Sequence, residues 1–272
     1  MSIRGVLAVT GVECTKLAAQ LKTRIVLAAC VAGPFGFAAA MRVQSSVPTD
    51  TLFGRSVKES GFAIPLVVLG FGALWVFPVL ASVVGGDVFS AEDRYGTWTT
   101  ILTRSRSRSE VFGGKVLTAL GFSALAVAAL AVSSVAAGVL VVGSQPLIGL
   151  SGELVPPSKA LISVALAWVT VLPPTLGFTA LAAVLSVATR NSAAGIGLPV
   201  VAGLMMQLYA FVDGPETLRQ LLITSAFGAW HGLLTATPYY GPLLEGTMVS
   251  ATYIVVCLVV AYRMLRRRDI GG

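Results

Sequence analysis

Four stretches of this chain, residues 60–86, 116–152, 160–189 and 191–212, contain no Asp, Glu, Lys or Arg. Two shorter ones, 25–41 and 246–262, share that property. A helix needs roughly 20 apolar residues to cross the hydrocarbon core, with about 17 as the lower limit. Backbone amides find no partners in lipid, so such runs must be helices. Alternation with a period of two is missing, which argues against an outer-membrane barrel. Only 11% of the residues are charged, against about 25% in an ordinary soluble domain. The expectation is an all-α polytopic membrane protein with six transmembrane helices, at about 25–41, 62–84, 111–142, 160–187, 193–211 and 248–264. A seventh uncharged run, 220–244, is broken by His231-Gly232, Pro238 and Pro242. It is expected to form short helices at the membrane surface, within an external loop over 213–246.

Charge sets the orientation. With six spans, fourteen of the 19 Lys and Arg residues fall on the side that holds both termini. Positive residues stay cytoplasmic, so both termini and the loop over 86–110 are expected in the cytosol. A seventh span at 220–244 would put Arg266, Arg267 and Arg268 outside, against the same rule. The net charge of +7 is then a topology signal and calls for no nucleic acid. The small residues around Ala38–Ala40 resemble a signal cleavage site, but a long, acid-containing leader argues against cleavage.

Residues 5–24 read as an interfacial amphipathic helix. Glu13, Lys16, Gln20 and Arg24 recur at spacings of three and four and so share a face. The bland alternative is a solvated tail. Span 3, at 1.5 Å per residue, exceeds the roughly 30 Å core; the excess is expected in the cytosol, sparing Lys115 from burial. Span 4 should bend at Pro173-Pro174. Gly33, Gly36, Gly70, Gly72, Gly195, Gly197 and Gly203 permit close helix contact.

Several chemistries have no residues to carry them. Gly114-Lys115 lacks the remainder of a phosphate-binding loop. HExxH and GxSxG are absent, and His231 is the only histidine. Cys14, Cys30 and Cys257 form no CxxC pair, so neither a metal site nor a disulfide framework is indicated. No catalytic residue is assigned. A pathway-like bundle without an energy source points to a partner that supplies energy.

The polar loop "SAEDRYGTWTTILTRSRSRSEVFGGK" is where such a partner would dock. Ser90 can cap a helix that has Glu92 and Asp93 in its first turn. Gly96 interrupts it, and Trp98, Ile101 and Leu102 then share a contact face. Helix capping alone would also account for Glu92, and attraction to anionic lipid for Arg104, Arg106 and Arg108.

Glu92, Gly96-Thr97, Ile101-Leu102, Thr103-Arg104, Ser107-Arg108, Glu110 and Gly114-Lys115 together resemble the loop between spans 2 and 3 of type-2 ABC-transporter permeases. Ser105 stands where that family often has Pro. Glu13, Lys16-Leu17 and Arg24 resemble the family's segment before span 1. The resemblance implies an exporter subunit, paired with a second permease, identical or homologous, and docked on two separate ATPase subunits. ATP and Mg would be held by those ATPases, with no cofactor on this chain. The coupling residues would be Glu92, Gly96, Thr97, Trp98, Ile101, Leu102, Arg104 and Arg108. The substrate path would be lined from spans 2 and 5 by Phe71, Trp75, Phe77, Met205, Met206 and Tyr209. A bacterial cytoplasmic membrane is the implied location. The alternatives are an ABC-type subunit that senses a ligand without moving it, and an ATP-independent carrier.

Overall fold

The computed structural model describes residues 2–44, 48, 51–103, 107–209, 212 and 214–268. Six helical segments are long and apolar enough to cross a membrane: Leu21–Val43, Ala63–Gly85, Arg108–Val141, Pro157–Thr189, Ser192–Tyr209 and Gly241–Arg267. The chain is a multi-pass, mostly helical membrane protein.

The helices, in order, are α1 (Ile3–Ala19), α2 (Leu21–Val43), α3 (Ala63–Phe71), α4 (Phe77–Gly85), α5 (Ser90–Tyr95), α6 (Trp98–Thr103) and α7 (Arg108–Val141). After a short antiparallel pairing of β1 (Leu147–Ile148) with β2 (Leu154–Val155) come α8 (Pro157–Thr170), α9 (Leu172–Thr189), α10 (Ser192–Tyr209), α11 (Glu216–Leu221) and α12 (Gly241–Arg267). Span 2 is α3 and α4 joined by a π-turn at Gly72–Val76; span 4 is α8 and α9.

Each break has a local cause. Pro78 has no N–H to offer the Leu74 carbonyl, the acceptor four residues back. The helix widens there, and the Phe77 amide bonds Gly72 instead. The Gln207 side chain of α10 donates to the Leu74 carbonyl and, at 3.3 Å, to Ala73. An unsatisfied carbonyl in lipid costs several kcal/mol, so this amide closes the gap that proline opens. Gln207→Leu should lower stability by about 1–3 kcal/mol, read as a fall in thermal midpoint in detergent. In span 4 the break falls at Val171, just ahead of Pro173-Pro174. Its φ and ψ of −88° and −6° lie at the margin of the right-handed helical region.

The predicted single helix over 5–24 does not form. The chain turns extended at Gln20, and Arg24 folds back to donate to the Ala18 carbonyl at 2.7 Å. The faces of α1 are also mixed: Val6 is buried and Arg4 and Lys16 are exposed, as amphipathicity would have them, but not every residue follows that pattern. Glu13 is buried against the bundle, while Ile3, Leu7 and Val12 are exposed.

The bundle has two recognisable ends. At one, α1, α5, α6, the start of α7 and the close of α12 meet. At the other, the Gly61 amide bonds Gly143, and Ser60 donates to Gln145. Here the 220–244 run folds as a 3₁₀ helix, Ser225–Leu234, which packs into the bundle. Its Phe227 stacks on Phe77 and Phe178, with centroids 5.5 and 5.9 Å away. Phe77 also meets Trp168 edge-on at 6.0 Å. This aromatic core joins spans 2 and 4 to the loop that precedes span 6.

Candidate functional site

Residues 86–103 form a compact platform at the first end. Gly96 takes the left-handed conformation (φ 64°) and closes α5, a backbone state that glycine enters without penalty. The reversal turns Trp98 inward. Trp98 is buried among Val84, Val88, Phe89 and Val111, and its indole faces the Arg268 guanidinium at 5.5 Å. The exposed residues of the platform are instead Arg94, Tyr95, Gly96, Thr99 and Thr100. Arg94 lies over the Tyr95 ring at 4.7 Å. A contact face led by Trp98 is thus corrected: the indole braces the loop from inside, and Tyr95 stands where a partner could reach it. Ile101 is half-buried and packs against the same inner cluster. Leu102 lies in α6, and Arg104 lies outside the described residues.

Charge fixes the platform to the bundle. Glu92 accepts from Lys115 at 2.7 Å, from Lys16 at 3.0 Å, and from the Thr97 hydroxyl. Glu13 pairs with Lys16 at 2.9 Å and with Lys115 at 3.1 Å. Lys115 also donates to the Val88 carbonyl at 3.0 Å. Two acids and two bases from α1, α5 and α7 therefore form one neutral cluster, with Lys115 only 1% exposed. The expected cytosolic exposure of Lys115 is overturned: its length of helix is covered by α1, and two carboxylates make burial tolerable. Lys16, though 43% exposed along its side chain, holds both acids.

The acids respond accordingly. Burial raises the Glu92 pKa, but Lys115, Thr97 and Lys16 overcome it and hold the carboxyl down to about 2. Burial acts in the same way on Asp87, whose bonds from Lys22 and Ser192 keep it below the ordinary value. For Lys16, burial pulls down while Glu13 and Glu92 pull up, and the net is upward. Glu92 thus titrates lower folded than unfolded, near 4.5. In that window the unfolded chain binds more protons, so stability rises with pH. Its contribution is complete above the unfolded value and should be lost as pH falls from about 4.5 toward 2. An acid series of thermal midpoints checks this; in Glu92→Gln the slope across that window should flatten.

Two more ties complete the frame. Asp93 pairs with Arg268. Arg108 donates to the carbonyls of Leu265, Arg266 and Arg268, at 3.4, 2.9 and 2.7 Å. Arg108 therefore caps the close of α12, where carbonyls lack intrahelical partners. Ser90 does not cap α5; its hydroxyl donates to the Gly86 carbonyl at 2.9 Å and meets Ser192 at 3.3 Å. Ser186 accepts from the Phe89 and Ser90 amides. Span 2, the platform and the α9–α10 turn are linked by these hydroxyls.

The lead into α7 holds a device that sequence reasoning missed. Ser107 accepts from the Glu110 amide, and Glu110 accepts from the Ser107 amide, a reciprocal cap. The Ser-x-x-Glu spacing was there to be read. Glu110 also accepts from the Ser2 amide at 3.1 Å, fastening the start of α1.

The proposed path residues divide. Phe71, Trp75 and Met205 are exposed on the bundle surface. Met206 and Tyr209 are half-buried. Phe77 is fully buried in the aromatic core and does not share that surface, since six residues at about 3.6 per turn put it on another side of the helix from Phe71.

No curated protein matches this sequence significantly. A family model does match, over residues 27–271, nearly all of the chain beyond α1. The chain belongs to the family described as Protein of unknown function (DUF2705).

Proposed function

We propose that this chain is the membrane-spanning permease subunit of an ATP-driven exporter of the type-2 ABC class, paired with a second permease and driven by separate ATPase subunits. One observation carries the reading. The loop between spans 2 and 3 is a pair of short helices bound by ion pairs and hydroxyls to α7, to α9 and to the close of α12. A loop needs no such frame merely to connect two spans. A lever does, since force applied to it must reach the spans without being absorbed.

In this reading the charged end is cytosolic, in agreement with the excess of Lys and Arg there. The membrane is the bacterial cytoplasmic one. The apolar outer side of α1 rests in the inner leaflet. Tyr95, Gly96 and Thr99 meet the ATPase; Glu92, Trp98 and Arg108 hold the lever stiff from behind. Thr97, bonded to Glu92, belongs with the brace. ATP and Mg are held by the partner.

Purification from the native membrane in mild detergent tests the proposal. An ATP-hydrolysing subunit with a phosphate-binding loop should co-purify. Tyr95→Asp should reduce its recovery at least about tenfold, the scale of 1.4 kcal/mol, without changing the permease's own thermal midpoint. Trp98→Asp should instead lower that midpoint, because it buries a charge. Sidedness is separable. In a background of Cys14→Ser, Cys30→Ala and Cys257→Ala, Tyr95→Cys should resist a membrane-impermeant maleimide in intact cells and react once they are opened. Reaction in intact cells would overturn the cytosolic assignment and the lever with it.

A further inference from the structure

At the end opposite the platform lies a half-open cavity of about 390 Å³, lined by residues 51–53, span 2, α10, α11 and the 3₁₀ helix. This volume is in the range of small-molecule sites, which are apolar with a few placed polar groups. Its walls include Phe53, Leu66, Phe71, Phe227 and Trp230. Three of its polar side chains have already committed hydrogens. Gln207 donates to Ala73 and Leu74, Ser225 to Leu222, and Thr51 to Pro48.

Two groups stand apart. Arg219 uses one guanidinium nitrogen on the Val212 carbonyl at 2.9 Å and another on Glu216 at 3.4 Å. Its Nε is buried and has no hydrogen-bond partner among the described residues. Leaving a charged donor so placed costs free energy unless something accepts from it. His231, the second, lies tilted against Trp230 with centroids 4.2 Å apart and lines the same cavity. Burial lowers its pKa, which favours a neutral imidazole that can donate one N–H. The cavity wall therefore carries a donor and one cation among largely hydrocarbon and aromatic surface.

We propose that this cavity binds a small amphipathic anion, an aliphatic carboxylate whose head lies on Arg219 and His231 and whose chain lies against Phe71, Phe227 and Trp230. A cationic amphiphile would meet Arg219 head-on, and a neutral alcohol would add no charge to the single long ion pair that Glu216 makes with Arg219 at 3.4 Å. The site is built within one chain and does not rest on the exporter reading.

The test is equilibrium binding of radiolabelled decanoate to the purified full chain in detergent, with octanoate, decanol and decylamine as competitors. Binding should saturate at one site per chain and yield to octanoate, with decanol and decylamine at least tenfold weaker as competitors. Arg219→Gln, on an exposed short helix, should weaken binding about tenfold or more. Gly70→Leu should abolish it, because a side chain at Gly70 enters open space on the cavity wall and displaces the ligand without a clash. Both variants should keep the wild-type thermal midpoint. Non-saturable uptake, equal competition by decylamine, or full binding by Arg219→Gln would each overturn the site. If Gly70→Leu is destabilised, Arg219→Gln and the competitor series decide alone. Loss of ATPase co-purification in Tyr95→Asp with decanoate binding intact would separate this site from the platform.

Discussion

Glu92→Gln should be the most damaging single change at the charged end, costing about 3–5 kcal/mol. The glutamine keeps the shape but removes one of two negative charges facing Lys16 and Lys115. Lys115, nearly inaccessible to water, would be left sharing Glu13 with Lys16. The expected readout is a fall of roughly 10 °C in thermal midpoint in detergent. Desolvation and pairing nearly cancel in an intact buried pair, so the loss comes from the charge left behind. That predicts an asymmetry. Glu92→Leu combined with Lys115→Met removes one acid and one base and leaves Glu13 bound to Lys16. The double variant should be more stable than either single one. If Glu92→Gln shifts the midpoint by about 2 °C or less, or if the two single losses simply add, the cluster is not a coupled buried network.

The same cluster marks the limit of what the sequence discloses. Six spans could be read directly, because lipid allows few alternatives to an apolar helix and the runs between charges are long. The clustering of cations at one end was legible for a similar reason, since charge sorting acts on whole loops. The fate of Lys115 was not. Its partners come from α1, about a hundred residues earlier, and from α5, so no local window contains them. Trp98 was misjudged because a helical face can be listed from spacing, but which side it presents depends on Gly96 reversing the chain ahead of it. Arg24 failed through the break at Gln20, for which no proline or glycine gave warning. Gln207 carried a usable signal: a lone amide in an apolar span needs a partner, and Pro78 in the next packed span creates one. The folding of 225–234 into the bundle was beyond reach, since its stacking on Phe77 and Phe178 is purely tertiary.

Glycine offers the second large effect, because identical residues in these spans should behave in opposite ways. Spans 2 and 5 come into backbone contact where Gly86 meets Gly195. A Cβ on Gly86 would overlap the Gly195 carbonyl, and one on Gly195 would overlap the Gly86 carbonyl. The obstacle is main chain on both sides, so no flexible side chain can yield and the helices must separate. Gly195→Ala should cost about 3 kcal/mol, the upper part of the range for overpacking. The damage should also travel. Separation of α10 from α4 would stretch the Ser90–Ser192 contact, 3.3 Å at present, and draw Ser192 away from Asp87, whose carboxylate Lys22 and Ser192 both favour. Those bonds are at the root of the platform, so the reactivity of Tyr95→Cys toward maleimide in membranes should change as well. Gly33 and Gly36, in span 1, have nothing within reach of an added methyl. There alanine only removes backbone freedom from the unfolded chain and should stabilise by about 0.5–1 kcal/mol. Thermal midpoints of Gly195→Ala and Gly36→Ala, moving in opposite directions from wild type, would show that spans 2 and 5 are held at van der Waals distance beside the platform. Equal midpoints would mean that this crossing is loose, which would count against the proposal that α5 acts as a lever on the spans.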